Sequence, residues 1–210
     1  PIGSEENFTG IIDILHCKAY EFHEFKRLEV EVPEDYKPKC KAARDFLIEK
    51  LADFNNEIME HYVDEKEISS ELIKKAIREA TIKMLMTPVF CGAAYKNKGI
   101  QLLLDAVVDY LPSPVDIGAV VGTDIHDEQK SHTRHPIPKD PISALAFKII
   151  HDPYVGQQTF VRIFSGMLKS GMPMLNTTRG KNERVGRILR IHAKEREEIS
   201  EEGPGEIAAL

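Results

Sequence analysis

The sequence predicts an α/β region followed by an all-β antiparallel barrel. Before residue 114, short β-branched runs are joined to segments whose apolar residues recur every three or four positions, as in amphipathic helices. From residue 141 onward, short β-rich runs are separated by turn residues, and no helical pattern intervenes. The chain has 210 residues, of which 42% are apolar, so it can fill one or two hydrophobic cores.

The first part of the chain, residues 1–86, is predicted to hold two strands and then helices. Residues 10–15 form an apolar run, and residues 28–32 alternate apolar and charged side chains, as strands do. After Pro33 a single apolar stripe predicts one long amphipathic helix. The stripe consists of Leu47, Leu51, Phe54, Ile58 and Tyr62.

A second helix is predicted to begin at Ser69, whose hydroxyl is a suitable N-cap. Ile68 and Ile73 have the spacing of a hydrophobic staple around that cap. The acidic residues of this part of the chain are spread along solvent-facing positions. We therefore expect a scaffold or protein-docking role for it rather than catalysis.

Residues 87–114 are predicted to form a strand, a loop of small residues and a helix over 100–111. The loop contains Gly92, Ala93 and Ala94, which have almost no side chain, so a flat ligand could approach the main chain closely. Ligands of open α/β sheets bind at such strand ends, where main-chain N–H groups point outward. From the spacing alone, a plain packing turn is the favoured explanation.

Residues 115–140 are rich in glycine and proline and are predicted to form an extended linker. The linker holds three histidines and two aspartates at irregular spacing, and we predict no metal site there. Residues 141–210 are predicted to form the barrel. Its strands are expected at 144–150, 159–164, 172–176, 185–191 and 206–210.

The charge is distributed unevenly along the chain. The net charge is -6, yet residues 162–194 contain eight basic residues and one acid, Glu183. A basic window in an acidic protein is a candidate contact for phosphate groups of a nucleic acid. A solvated strand face rich in long cations is the alternative.

The cysteines and the apolar runs indicate the cellular compartment. Cys17, Cys40 and Cys91 are odd in number and far apart, which favours free thiols in a reducing compartment. No apolar run reaches the length of about 18 residues that a membrane span needs, and no signal peptide is apparent. We therefore expect a cytoplasmic protein without a membrane partner.

Five blocks of the sequence, taken in order, resemble bacterial elongation factor G, a translational GTPase, and the resemblance extends over essentially the whole chain. The blocks are residues 96–114, 152–156, 165–171, 176–181 and 183–193.

The resemblance implies a division of the chain into four parts. Residues 1–86 are similar to the insert of the GTP-binding domain, and residues 87–114 to its last strand, guanine-contacting loop and last helix. Residues 115–140 would be the linker, and residues 141–210 the second, β-barrel domain, truncated at its end. Both chain ends are then expected to lie inside a longer protein.

The resemblance also implies how a nucleotide is bound. Gly92, Ala93 and Ala94 would form the guanine loop, in which the Ala94 N–H donates to the guanine carbonyl oxygen. Ala93 stands where the family has serine. The sequence contains no Gly-x-x-x-x-Gly-Lys-[Ser/Thr] run, so nothing cradles the phosphates. GTP or GDP and Mg²⁺ would bind the full-length parent, which would hydrolyse GTP, whereas we expect this chain to bind none and to contribute no catalytic residue.

The implied partner is the ribosome. The barrel would contact small-subunit ribosomal RNA, and the insert would allow contact with a ribosomal stalk protein; we expect a monomer. The candidate RNA-binding residues are Arg179, Lys181, Arg184, Arg187 and Arg190. Two alternatives remain open: a ribosome-protection or release-factor-type GTPase, and a stand-alone module that binds ribosomal RNA.

Overall fold

The computed structural model describes residues 1–23, 26–152, 156–193 and 195–210. The chain divides into two compact units, Pro1–Leu111 and Pro112–Leu210. The first unit is mixed α/β, and the second is an antiparallel β region. The finer division into insert, guanine-loop segment, linker and barrel stays a prediction.

The first unit contains a three-stranded antiparallel sheet with β2 in its centre. Its strands are β1 (Gly10–Asp13), β2 (Lys18–His23) and β3 (Lys26–Val30). Strands β1 and β3 were expected from the sequence, but β2 was not.

Four helices cover the rest of the first unit: α1 (Lys37–Ala52), α2 (Asn56–Val63), α3 (Ser70–Ile82) and α4 (Ile100–Tyr110). The prediction of one long helix after Pro33 is wrong, because α1 ends at Ala52 and the Asn55 side chain caps α2 by accepting from the Ile58 N–H at 3.0 Å. Leu51 and Ile58 of the predicted stripe are fully buried, whereas Phe54 and Tyr62 remain exposed.

The predicted start of the second helix is confirmed. The Ser69 hydroxyl accepts a hydrogen bond from the Leu72 N–H at 3.2 Å, and α3 begins at the next residue. Ile68 and Ile73, the predicted staple, are both buried. One core joins α1, α2 and α3 to the Ala106 and Tyr110 side chains of α4.

The second unit begins with elements that the linker prediction lacked. Residues 115–140 do not form a simple extended connection. A short helix α5 (Pro114–Ile117) begins with a capping box between Ser113 and Asp116. A hairpin of β4 (Val120–Thr123) and β5 (Ser131–Arg134) follows, because an Asp127 turn brings the two segments together.

The remaining strands of the second unit are antiparallel, and most of them join one five-stranded sheet in the order β12-β11-β14-β7-β6. The strands are β6 (Ser143–Asp152), β7 (Gly156–Ser165), β8 (Leu168–Lys169), β9 (Pro173–Asn176), β10 (Lys181–Arg184), β11 (Ile188–His192), β12 (Glu195–Ile199), β13 (Glu201–Glu202) and β14 (Ile207–Ala209). Two further pairs, β9 with β10 and β8 with β13, form separate ladders.

No closed barrel forms among the described residues. Closure requires the two outer strands of a sheet to pair with each other, and β6 and β12 each have one neighbour in the five-stranded sheet. The core lies on one face of that sheet and centres on Ile163, Leu168 and Ile188. Strand β6 is the exposed edge, and its pairing with β7 shifts register between Ala146 and Lys148.

Candidate functional site

The small-residue loop follows an extended segment rather than a paired strand. Residues 87–91 belong to no ladder among the described residues, so the predicted strand before the loop is not formed. A strand requires a neighbour for its N–H and C=O groups, and among the described residues β1, β2 and β3 make no ladder with this segment. The segment is consequently open to solvent, with Val89 89% exposed.

Main-chain hydrogen bonds close the loop on itself. The Ala93 N–H donates to the Lys98 carbonyl at 2.8 Å, and the Lys98 N–H returns a bond to the Ala93 carbonyl at 3.1 Å. Between them, Ala94–Lys96 make one 3-10 turn that ends at Asn97 in the left-handed conformation, with φ of 53°. The loop is therefore a rigid turn whose shape is fixed by its own backbone.

Two glycines allow this loop to pack tightly. A Cβ atom on Gly92 would lie 2.8 Å from the Lys98 carbonyl oxygen, which is too close for any side chain. Gly99 has φ of 83°, and a Cβ there would lie 2.5 Å from Cδ1 of Ile11 on β1. The absence of a side chain at Gly92 thus lets the loop close on itself, and its absence at Gly99 lets the loop pack against β1.

The Ala94 N–H, which the prediction assigns to the guanine contact, is left without a main-chain partner in the described part of the chain. It begins the 3-10 turn and donates to no acceptor among the described residues, as expected for the first N–H of a helical turn. An open groove of about 290 Å³ lies beside the loop and is lined by Cys91, Gly92, Ala93, Phe8 and residues near the N-terminus. Ala94 itself is not among the residues that line this groove.

The first of the candidate RNA-binding residues lie at the tip of a hairpin. Strands β9 and β10 are joined by residues 177–180, so Arg179 lies at the tip and Lys181 starts β10. The Arg179 guanidinium lies 3.9 Å from the Glu183 carboxylate and is 75% exposed. Lys181 is exposed and forms no ion pair within the described part of the chain.

The three arginines that follow do not lie on one strand, contrary to the prediction of a single strand over 185–191. Arg184 ends β10, and Val185 turns into the core, where its N–H donates to Met172 O at 2.9 Å. Arg187 therefore lies in the connection before β11, with its guanidinium 4.0 Å from the Glu198 carboxylate. Arg190 lies within β11.

Two acids from different strands, Glu202 of β13 and Glu197 of β12, hold Arg190. Its Nε and Nη2 atoms donate to Glu202 Oε2 at 3.1 and 2.8 Å, and Glu197 lies 3.6 Å from Nη1. The hydrogen bond to the nearly buried Glu202 raises the pKa of Arg190 above its ordinary value. Arg190 therefore has a structural partner, whereas the Lys181 ammonium group is unpaired as far as the described residues extend.

Sequence reasoning expected some of these cations to pair with acids of the same module, but it missed the strand β12 that carries Glu197 and Glu198. Strand β12 is glutamate-rich, and its pairing with β11 places Glu197 opposite Arg190 and Glu198 opposite Leu189. The direct succession of a basic and an acidic segment was the available signal for such a pair of strands. Lys194 of the basic window and residues 153–155 of the resemblance blocks lie outside the described residues.

The linker histidines form separate pairs with aspartates. His132 lies 2.8 Å from Asp124 in the β4–β5 hairpin, and His135 lies 3.3 Å from Asp140. The His132 hydrogen bond is the main cause that lowers the pKa of Asp124 to about 2. Across the described ranges, no cluster of three or more His, Cys, Asp or Glu side chains is arranged to hold a metal ion. Nor does any described helix have the length and apolarity needed to cross a membrane.

The fold and the site together define a mixed α/β unit with a rigid small-residue turn, followed by an antiparallel β module with a basic hairpin. Residues 141–210 match the family model of elongation factor G domain 2, which relates this part of the chain to translation elongation factors. A solved crystal structure of a protein from Thermus thermophilus is similar over 100% of this chain, with a TM-score of 0.75 and 24% identity. The chain spans 29% of the length of that protein.

Proposed function

We propose that this chain is part of an elongation factor G-type GTPase that promotes ribosomal translocation of tRNA and mRNA. The match of residues 141–210 to elongation factor G domain 2 carries the proposal. The fold likeness over 100% of the chain supports it, because the α/β unit is matched together with the β module. In that setting the protein acts in the cytoplasm as a monomer, and residues 1–86 offer a surface for a ribosomal stalk protein.

In the proposed function, the loop of Gly92, Ala93 and Ala94 contacts the guanine base. The Ala94 N–H has no other acceptor in the described residues, and the rigid turn fixes its direction. The full-length protein binds GTP or GDP with Mg²⁺, and groups outside this chain hold the phosphates, since the sequence has no phosphate-binding loop. The chain alone binds and hydrolyses no GTP.

Substitution of Ala94 by proline in the full-length factor tests the guanine contact. Proline removes only the N–H, and it fits the first position of a helical turn. Ala93 has φ of -128° and ψ of 88°, an extended backbone of the kind preferred before proline. We expect GDP affinity in a fluorescence titration to fall about fivefold, which corresponds to the loss of one hydrogen bond of about 1 kcal/mol.

The matched control is Ala94→Gly, which keeps the N–H and should keep most of the affinity. Equal affinities of the proline and glycine variants would refute the guanine contact while leaving the translation-factor assignment standing. Failure of the full-length factor to bind guanine nucleotides at all would instead refute the proposed function.

The β module is proposed to close into a barrel in the full-length protein and to contact small-subunit ribosomal RNA. Lys181 and Arg179 at the hairpin are the foremost contacts, because both side chains are exposed at or beside the tip. Arg184 and Arg187 lie further along the chain, whereas Glu202 holds Arg190. Phosphate contacts of this kind position a protein without reading sequence.

Binding to purified small ribosomal subunits at several salt concentrations tests the RNA contact. Lys181→Ala should weaken binding and reduce the slope of log affinity against log salt by about 1, since one phosphate contact is lost. Lys130→Ala removes the same charge from the β4–β5 turn and should leave the slope unchanged. Equal slopes for the Lys181 variant and the unmodified protein would exclude Lys181 from the interface.

A further inference from the structure

Two thiols meet in the first unit, in a place that the proposed function does not use. Cys17 lies in the turn between β1 and β2 and is exposed, whereas Cys40 lies in the first turn of α1 and is 5% exposed. The Cys17 turn lies beside the start of α1, so the two residues border the same space. Both line an open groove of about 590 Å³, so small molecules in solution can reach the pair.

Other contacts hold the Cys17 turn against α1. Arg44 lies one helical turn after Cys40, and its guanidinium donates to the Ile14 and Leu15 carbonyls of the turn. The Ser70 hydroxyl donates to the same Leu15 carbonyl at 2.7 Å. The thiols are therefore brought together by hydrogen bonds that do not involve sulfur, and their proximity is built into the fold.

We propose that Cys17 and Cys40 form a reversible oxidation site, at which a hydroperoxide converts the dithiol into a disulfide that links the β1–β2 turn to α1. The chemistry requires an accessible thiol that reacts first and a neighbouring thiol that reacts second. Cys17 and Cys40 differ in exposure in this sense. Cys91 is exposed and has no thiol partner in the described part of the chain, so it cannot complete the same reaction there.

The reaction is balanced by one peroxide for each disulfide. The Cys17 thiol gives up its proton, its sulfur attacks one oxygen of hydrogen peroxide, and the O–O bond breaks. Cys17 becomes a sulfenic acid, and the departing hydroxide takes up that proton and leaves as water. Cys40 then attacks the Cys17 sulfur, the S–S bond forms, the S–O bond breaks, and a second water leaves. The two thiols lose two electrons, which reduce the peroxide, and a dithiol reductant reverses the change.

Burial assigns the order of the two steps. Burial, followed by the hydrogen bond with Cys17, raises the pKa of Cys40 to about 11. A thiol with so high a pKa is a poor first nucleophile, because only the thiolate reacts readily. Exposed Cys17 is thus the site of attack on peroxide, and Cys40 is the resolving thiol.

Treatment of the purified, reduced protein with hydrogen peroxide tests the proposal. Peptide mapping without reductant should find one cross-linked pair that contains Cys17 and Cys40, and the cross-linked species should weigh two hydrogen atoms less. Dithiothreitol should restore both thiols. Because the cross-link constrains the unfolded chain, the oxidised first unit should melt on the order of 10 °C higher.

Three variants complete the design. Cys91→Ser should form the cross-link as the unmodified protein does, and Cys17→Ser should leave Cys40 reduced. Cys40→Ser should stop at a Cys17 sulfenic acid, which dimedone traps. Oxidation of Cys91 shows that the peroxide treatment was sufficient. The proposal is overturned if an alkylating reagent then still modifies both Cys17 and Cys40, or if Cys17 forms a disulfide with another cysteine. These outcomes can be read in the unmodified protein even when the Cys40 variant does not fold.

Discussion

Replacement of Gly99 by alanine should destabilise the first unit, because the added Cβ would crowd the Ile11 side chain and would lie 3.0 Å from the Cys91 carbonyl oxygen. The residue has φ of 83°, and its added Cβ would lie 2.5 Å from Cδ1 of Ile11. Ile11 is buried, so its side chain has little space to move away. The contact joins the small-residue loop to strand β1, and the experiment therefore measures what holds the loop in place.

The expected loss has two parts. The left-handed backbone costs a residue with a Cβ about 1–2 kcal/mol. Overpacking against Ile11 adds about 1–3 kcal/mol. The free energy of unfolding should consequently fall by about 2–5 kcal/mol, a large share of the about 5–15 kcal/mol typical of folded proteins. Ile11→Val removes Cδ1 and by itself should cost about 0.5–1.5 kcal/mol.

A double-mutant cycle in urea, followed by circular dichroism, separates the two parts. The double variant Ile11→Val, Gly99→Ala lacks the methyl group in conflict, so it should be more stable than the sum of the single losses predicts, by about 1–2 kcal/mol. Additivity within about 0.5 kcal/mol would show that backbone strain alone explains the loss and that the packing argument is wrong.

Three further changes can be measured by thermal unfolding. Ser69→Ala removes the cap that accepts from the Leu72 N–H at 3.2 Å and should cost the first unit about 1 kcal/mol, whereas Ser69→Asn should restore it. Ile163→Ala leaves a cavity at a fully buried site and should cost the second unit about 2–5 kcal/mol; a loss below about 1 kcal/mol would mean that the core collapses around it. The hydrogen bond with His132 lowers the pKa of Asp124 to about 2. The stabilisation that this hydrogen bond provides is therefore complete above the ordinary aspartate pKa of about 4, and it is lost as the pH falls to about 2. Asp124→Asn should weaken this acid dependence, and an unchanged acid profile would contradict it.

Elements with strong local signals were predictable from the sequence. Ser69 and its staple predict the start of α3, because a cap and its apolar neighbours act within one helical turn. The β-branched run around Val161 and Ile163 predicts β7, whose side chains alternate between core and surface. In these cases local preference and burial favour the same structure.

Elements that depend on a partner were not predictable. Strand β2 has a weak pattern of its own and exists because β1 and β3 flank it on both sides. Strand β12 is nearly all glutamate and arginine, and it is held by pairing with β11. Conversely, residues 87–91 have the composition of a strand and form none, since no described neighbour offers them hydrogen bonds in this unit.

The candidate site shows the same division. The turn of small residues before α4 was predictable, because its glycines and alanines restrict the chain locally, but the strand predicted before it is not formed. The arrangement of the arginines was not foreseen, since a regular spacing of three says nothing about where the strand breaks. Val185 enters the core and so separates Arg184 from Arg190. Which cation remains unpaired depends on acids from a strand that the sequence did not reveal.

The offset at Phe147 affects how the protein behaves toward other copies of itself. Ala146 pairs with Val161 and Lys148 with Phe160, so Phe147 has no opposite residue, and the outer row of hydrogen-bonding groups is interrupted at mid-strand. A foreign strand that began to add there would lose alignment after a few residues and would meet the Lys148 charge. This irregularity therefore disfavours edge-to-edge aggregation of β6 with other copies of the protein, although β6 exposes the apolar side chains of Leu145 and Ile149.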